Sequence, residues 1–146
     1  MYRRLLRYAL VTIFGVGGFP AGAEPLTQDV SVRMRSYAID VSPVDIASGR
    51  VRFHISNDAP DLLHEFLLVR TELQADELPV EEEGHVDEDS PSLELIVSAE
   101  DIEPGETRHV LVTLNPGQYV YFCNMGGHHM LGMRGQFVVR GPRDDS

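Results

Sequence analysis

Hydrophobic and polar residues alternate along most of the chain, and turn-forming residues separate one alternating run from the next. The segment "GRVRFHIS" (49–56) is the cleanest case: Val51, Phe53 and Ile55 fall on one side, with Arg52, His54 and Ser56 on the other. Successive side chains of a strand point to opposite faces, so a period of two predicts a strand with one buried face. The same reading predicts strands at "YAIDVS" (37–42), "HEFLLVR" (64–70), "SLELIV" (92–97), "TRHVLVTL" (107–114), "QYVYFC" (118–123) and "GQFVVR" (135–140). "NDAP" after residue 56 and "NPG" at 115–117 are turn signals. No segment sustains a helical period and none repeats. The pattern predicts an all-β fold, an antiparallel Greek-key β-sandwich or barrel of about seven or eight strands.

Two stretches stand outside this pattern. Glu24 to about Ser31 reads as a loose leader, and Met34 as core or as part of that leader. "ELQADELPVEEEGHVDEDS" (72–90) is acidic and poor in aromatic residues. It reads as a solvated excursion between strands, with a short helical turn at 74–78. A docking patch for a basic partner, or a weak cation site around His85, is the alternative.

The N-terminus changes the picture. Arg3, Arg4 and Arg7 precede an apolar run from about Tyr8 to Phe19, and "AGA" at 21–23 follows. That layout is a secretory signal peptide, cut after Ala23. The run is too short and too interrupted by Gly15, Gly17, Gly18 and Pro20 to span a bilayer. The Arg3-Arg4 pair hints at twin-arginine export. Residues 24–146 then form a single domain, exported, bacterial and periplasmic, with no membrane segment once the signal is removed. Losing residues 1–23 takes away three arginines and no acid, so the formal charge moves from −11 to −14. Such an acidic chain repels nucleic acid and anionic membranes and is drawn to basic patches on other proteins.

Chemistry concentrates in "YFCNMGGHHMLGMRG" (121–135), which holds the chain's single cysteine, two adjacent histidines and three methionines. An exported protein with one cysteine closes no internal disulfide. Cys123 is therefore either a small buried hydrophobe or a metal-bound thiolate. His128 follows Cys123 in a C-x4-H spacing, Met133 follows His128 after another four residues, and His64 opens a strand far upstream. His129 leaves a C-x5-H alternative open. A thiolate, two imidazoles and a weak thioether make up the donor set of a blue-copper electron-transfer centre.

The segment "GQYVYFCNMGGHHMLGMRGQFVV" resembles the metal loop of the cupredoxins, the plastocyanin, rusticyanin and sulfocyanin family. "VRFHISNDAPDLLHEFLLV" is similar to that family's first-ligand strand. The resemblance implies one type 1 copper per chain, held by His64, Cys123, His128 and Met133. It also implies that Asn57 pins the first-ligand loop to the Cys123 loop; the alternative is that Asn124 helps locally instead. The family often has Pro-Gly before the second histidine; here Gly126-Gly127 stands instead.

The remaining candidates have plainer readings. Glu65 points away from His64 by strand alternation and is exposed or paired. His54 and His109 lie on polar strand faces. Met125 and Met130 pack, or with Leu131 form an apolar rim. Tyr119 and Tyr121 pack beside Cys123.

Three function classes compete. The first is a one-electron carrier between redox partner proteins, monomeric and needing no substrate pocket. The second is a copper module for trafficking or buffering that delivers copper to an apo-oxidase. The third, an enzyme, lacks the H-x-H pairs that further copper centres need and lacks any G-x-S-x-G motif.

Overall fold

The structure, a computed structural model, describes residues 26–141; the signal-peptide reading of residues 1–23 lies outside them. Nine strands follow in order: β1 (Thr27–Arg35), β2 (Ala38–Ser42), β3 (Ile46–Ala47), β4 (Gly49–Asn57), β5 (His64–Arg70), β6 (Glu94–Ile102), β7 (Thr107–Leu114), β8 (Gly117–Phe122) and β9 (Arg134–Arg140). They form two sheets, one ordered β2-β1-β4-β7 and the other β3-β9-β8-β5-β6. The expected two-sheet β-sandwich is present, with one or two strands more than the alternation predicted. It is not purely antiparallel, because β1 runs parallel to β4 and β3 parallel to β9.

The leader reading of Glu24 to about Ser31 is corrected from Thr27 onward; residues 24 and 25 lie outside the described ones. Thr27–Arg35 is an inner strand, hydrogen-bonded on both edges by β2 and β4. Val30, Val32 and Met34 are fully buried while Asp29, Ser31 and Arg33 face outward. The segment needs its neighbours, since an isolated alternating strand cannot bury its apolar face.

Between the sheets, Val30, Val32 and Met34 meet Phe53 and Ile55 of β4, Phe66 and Leu68 of β5, Tyr119 and Tyr121 of β8, and Phe137 of β9. Phe53 and Phe66 cross the gap with ring centroids 6.0 Å apart. Each such fully buried side chain contributes about 1.5–3 kcal/mol.

The central strands of the second sheet are buried on both faces. Phe66 to Val69 of β5 and Tyr119 to Phe122 of β8 have no exposed member. Their continuous apolar runs need a cover on the outer side, as strands buried on both faces do. Residues 72–90 supply it. Leu78 and Val86 are buried against Leu67, Val69, Val120 and Phe122 in a second apolar cluster. Glu81, Glu82 and Glu83 stay exposed. The excursion is therefore a packed flap with a charged outer surface, and not the solvated loop its composition suggested. Its only helical turn is a single 3-10 turn at Glu82–Gly84, rather than the expected one at 74–78.

The placement of β1 gives a direct test. Met34→Ala should lower unfolding free energy by about 2–5 kcal/mol, the cost of emptying a buried methionine site. Denaturant titration measures this. A change within about 0.5 kcal/mol, as at surface positions, would mean the segment is the loose leader after all.

Candidate metal centre

β5 and β8 are antiparallel neighbours, with Leu67 opposite Phe122. Their register puts the start of β5 and the end of β8 at the same rim of the sheet, so His64 and Cys123 meet although 59 residues separate them. The link from β8 to β9 then folds back over that rim. His128 N–H donates to Met125 O at 2.9 Å and Met133 N–H to His128 O at 3.1 Å. Cys123 N–H donates to Met133 O at 3.0 Å, closing the loop on itself. The loop turns at Gly127, where φ is +77°, a conformation glycine adopts at little cost.

These constraints converge on one point. Cys123 Sγ lies 3.7 Å from His64 Nδ1 and 3.4 Å from His128 Nδ1, and the three donor atoms all lie within 4.8 Å of one another. His64, Cys123 and Met133 are fully buried, and His128 is half-buried. His129 is turned elsewhere: its Nε2 bonds Ala75 O at 2.9 Å, and its ring sits edge-on to Phe122.

The donor chemistry suits a soft or borderline cation. Burial pushes the imidazole pKa of His64 down, with His128 adding to this and the Arg35 backbone opposing it. Burial does the same to His128. Both rings are therefore held neutral, as metal ligands must be. Burial pushes the Cys123 thiol up; the backbone of Glu65 and Met125 opposes this, and the Glu65 charge adds to it. The Glu65 N–H donates to Cys123 Sγ at 3.4 Å. Sulfur and nitrogen donors sharing one ion in a trigonal plane, at about 2.3 and 2.0–2.1 Å, stand roughly 3.7 Å apart. The observed spacings match that geometry, so the residues present fit a metal.

A sequence profile of the copper binding proteins of the plastocyanin/azurin family matches residues 33–140. The chain belongs to that family. Its cofactor is copper. Among solved structures, auracyanin A, a "blue" copper protein from the green thermophilic photosynthetic bacterium Chloroflexus aurantiacus, superposes with a TM-score of 0.58 at 21% identity, covering 78% of this chain and 99% of that one. Rusticyanin from Thiobacillus ferrooxidans gives 0.57 at 18% identity, over 78% and 77%. Auracyanin from Roseiflexus castenholzii gives 0.52 at 17%, over 77% and 95%. At these identities the likeness establishes the shared fold. Comparison with curated protein sequences finds no match.

Within this cupredoxin frame the surroundings of the site differ from the expectations in three ways. Asn57 is fully buried, but its Nδ2 donates to Leu62 O and Ile102 O, both at 2.8 Å, and its Oδ1 accepts from Ala59 N–H. It ties the first-ligand loop to itself and to β6, not to the Cys123 loop. The second difference concerns Glu65. It is half-buried, and none of the ion pairs among the described residues includes it. Burial, then the charges of Glu100, Glu88 and Asp101, push its carboxyl up, with His85 opposing.

The third difference is that the flap grips the metal loop. Asn124 Oδ1 accepts from Val86 N–H at 2.7 Å, while its Nδ2 donates to Val86 O at 3.2 Å and Glu88 Oε1 at 2.6 Å. His85 Nδ1 lies 2.8 Å from Asn124 O. A Cβ on Gly84 would press on Gly127 Cα at 3.2 Å, so the two backbones approach as closely as glycine allows. Tyr37, at the β1–β2 turn, was also not foreseen. Its ring stands edge-on to His128 at 5.7 Å.

Asn124→Ala removes the side chain that satisfies the Val86 backbone. It should cost about 1–3 kcal/mol for each buried group left unpaired. Hydrogen exchange should accelerate at Val86, and an unchanged rate there would show that the flap is held by its apolar contacts alone.

Proposed function

We propose that the chain is an exported type 1 copper protein that carries single electrons between redox partners, with His64, Cys123, His128 and Met133 holding the ion. The observation that carries this reading is the convergence of a buried thiol and two imidazoles at 3.4–3.7 Å. Copper bound there would cycle between its monovalent and divalent forms and so supply a one-electron store.

The chain's own residues do the rest. Cys123 gives the thiolate, and the Glu65 N–H directed at its sulfur orients it and moderates its charge. The bonds among Met125, His128 and Met133 fix the loop before any ion enters. Burial of His64, Cys123 and Met133 excludes water from most of the site. Met133, which comes last in the loop and is fully buried, would offer the ion a weak thioether donor. His128 is the electron exit, because it alone of the four is not fully buried. Tyr37, Met130 and Leu131, exposed by 52%, 66% and 63%, supply an apolar rim for brief docking.

Buried donors argue for a carrier over a trafficking module. Handing copper to an acceptor requires the ligands to be reached one by one, and three of the four have no exposed surface. The acidic surface suits redox partners with basic docking faces. The reading includes residues 1–23 as a cleaved signal, residues 24–146 as one domain, a periplasmic location and a monomeric state.

Adding Cu(II) to the purified protein should give an intense visible thiolate-to-copper band, which Cys123→Ser abolishes. A correctly folded sample without the band contradicts the assignment. Rapid electron exchange with a partner cytochrome, against slow copper transfer to an apo-acceptor, separates carrier from trafficking module. Met133→Gln should keep the band and lower the reduction potential, since an amide oxygen stabilises the divalent form more than a long thioether does. An unchanged potential would remove Met133 from the ligand set.

A further inference from the structure

The outer face of the first sheet carries a second cluster of metal-binding side chains. His54 on β4 and His109 on β7 are directly opposite in the antiparallel register. Phe53 and Ile55 on either side of His54 face the core, so His54 faces away from it. The two imidazoles meet Nδ1 to Nδ1 at 2.9 Å, with the rings at 79°. On the far side of His54, Nε2 lies 2.7 Å from Asp29 Oδ1 on β1. Three adjacent strands thus set Asp29, His54 and His109 in a line.

A carboxylate only accepts, so His54 Nε2 donates to Asp29. One of the two facing Nδ1 atoms donates to the other. Asp29 is an anion here: the His54 hydrogen bond holds its carboxyl below the usual range, with Arg52 helping by charge. Arg52 also lies within 3.4 Å of Asp29 Oδ1.

We propose that His54 and His109 form a second metal site, taking a borderline divalent ion such as Zn(II) or Cu(II) between their Nδ1 atoms. Two nitrogens at about 2.0–2.1 Å from one ion, at tetrahedral or square angles, stand roughly 2.8–3.4 Å apart, and the pair is already at 2.9 Å. Asp29 holds the remote N–H of His54, the carboxylate–histidine–metal arrangement that fixes ring orientation and raises ligand basicity. Binding displaces the proton between the two Nδ1 atoms to solvent; both rings then carry a proton on Nε2, taken up from solvent where it was missing, and turn their Nδ1 lone pairs to the ion. Water completes the coordination, since His109 is exposed. The chain's net charge of −11 draws cations to it. None of these residues belongs to the Cys123 cluster, and the two sites lie on different sheets.

The test is a zinc titration of the copper-loaded, ascorbate-reduced protein, in which the Cys123 site is occupied, followed by NMR of the histidine imidazoles. The signals of His54 and His109 should move together and saturate at one zinc per chain. His109→Ala should abolish that response, and Asp29→Asn should weaken it about 10–100-fold. The visible band after reoxidation should be the same in every variant, because these side chains are on the solvent face of another sheet. Unmoved His54 and His109 signals at a large zinc excess overturn the proposal. So does zinc binding that is unaffected by the His54→Ala, His109→Ala double substitution.

Discussion

The pairing of β5 with β8 carries the rest of this structure. It is a backbone ladder, with Leu67, Leu68 and Val69 opposite Phe122, Tyr121 and Val120, and it sets where two side chains far apart in sequence end up. A one-residue slip would turn every side chain on one strand to the other face. His64 and Cys123 would then no longer meet. The ladder is secured by burial on both faces: Phe66 and Leu68 point into the sandwich, and Leu67 and Val69 into the flap. The site's geometry is thus supported by packing that extends well beyond its donors.

The flap gives the acidic segment a structural purpose that its composition hides. Apolar positions at Leu78 and Val86 anchor it, while Asn124 and His129 bond it to the loop that carries His128 and Met133. The Gly126-Gly127 pair, less rigid in itself than a proline would be, is backed by Gly84 at contact distance. The loop is braced from outside by these contacts. The flap's exposed glutamates set the charge of the surface beside the metal loop without entering the site.

Much of this was legible in the sequence, for physical reasons. Strands such as β4 and β7 have one wet face, and alternation shows that directly. The donor cluster was visible because cysteine, histidine and methionine rarely share one loop without a reason, and the spacing separated His128 from His129 by family resemblance. β1 was legible too: Val30, Val32 and Met34 alternate with polar residues, but proximity to the N-terminal segment masked them. β3 has two residues, too few for any period. The flap was misread because nine acids outweigh two buried apolar residues in any compositional average. The unbroken runs "FLLV" and "YVYF" were the available clue that the outer face needed a cover. Tyr37 and the partners of Asn57 depend on tertiary placement and leave no local signal.

On the proposed reading one copper ion is held by a sulfur and two imidazole nitrogens whose positions the fold sets in advance, so that little moves when an electron arrives. X-ray absorption at the copper edge, recorded in both oxidation states, tests this directly. One short sulfur contact at about 2.2–2.3 Å and two nitrogen contacts at about 2.0–2.1 Å are expected, with the same ligand set in both states. A spectrum with no short sulfur, or a ligand set that changes on reduction, would contradict it.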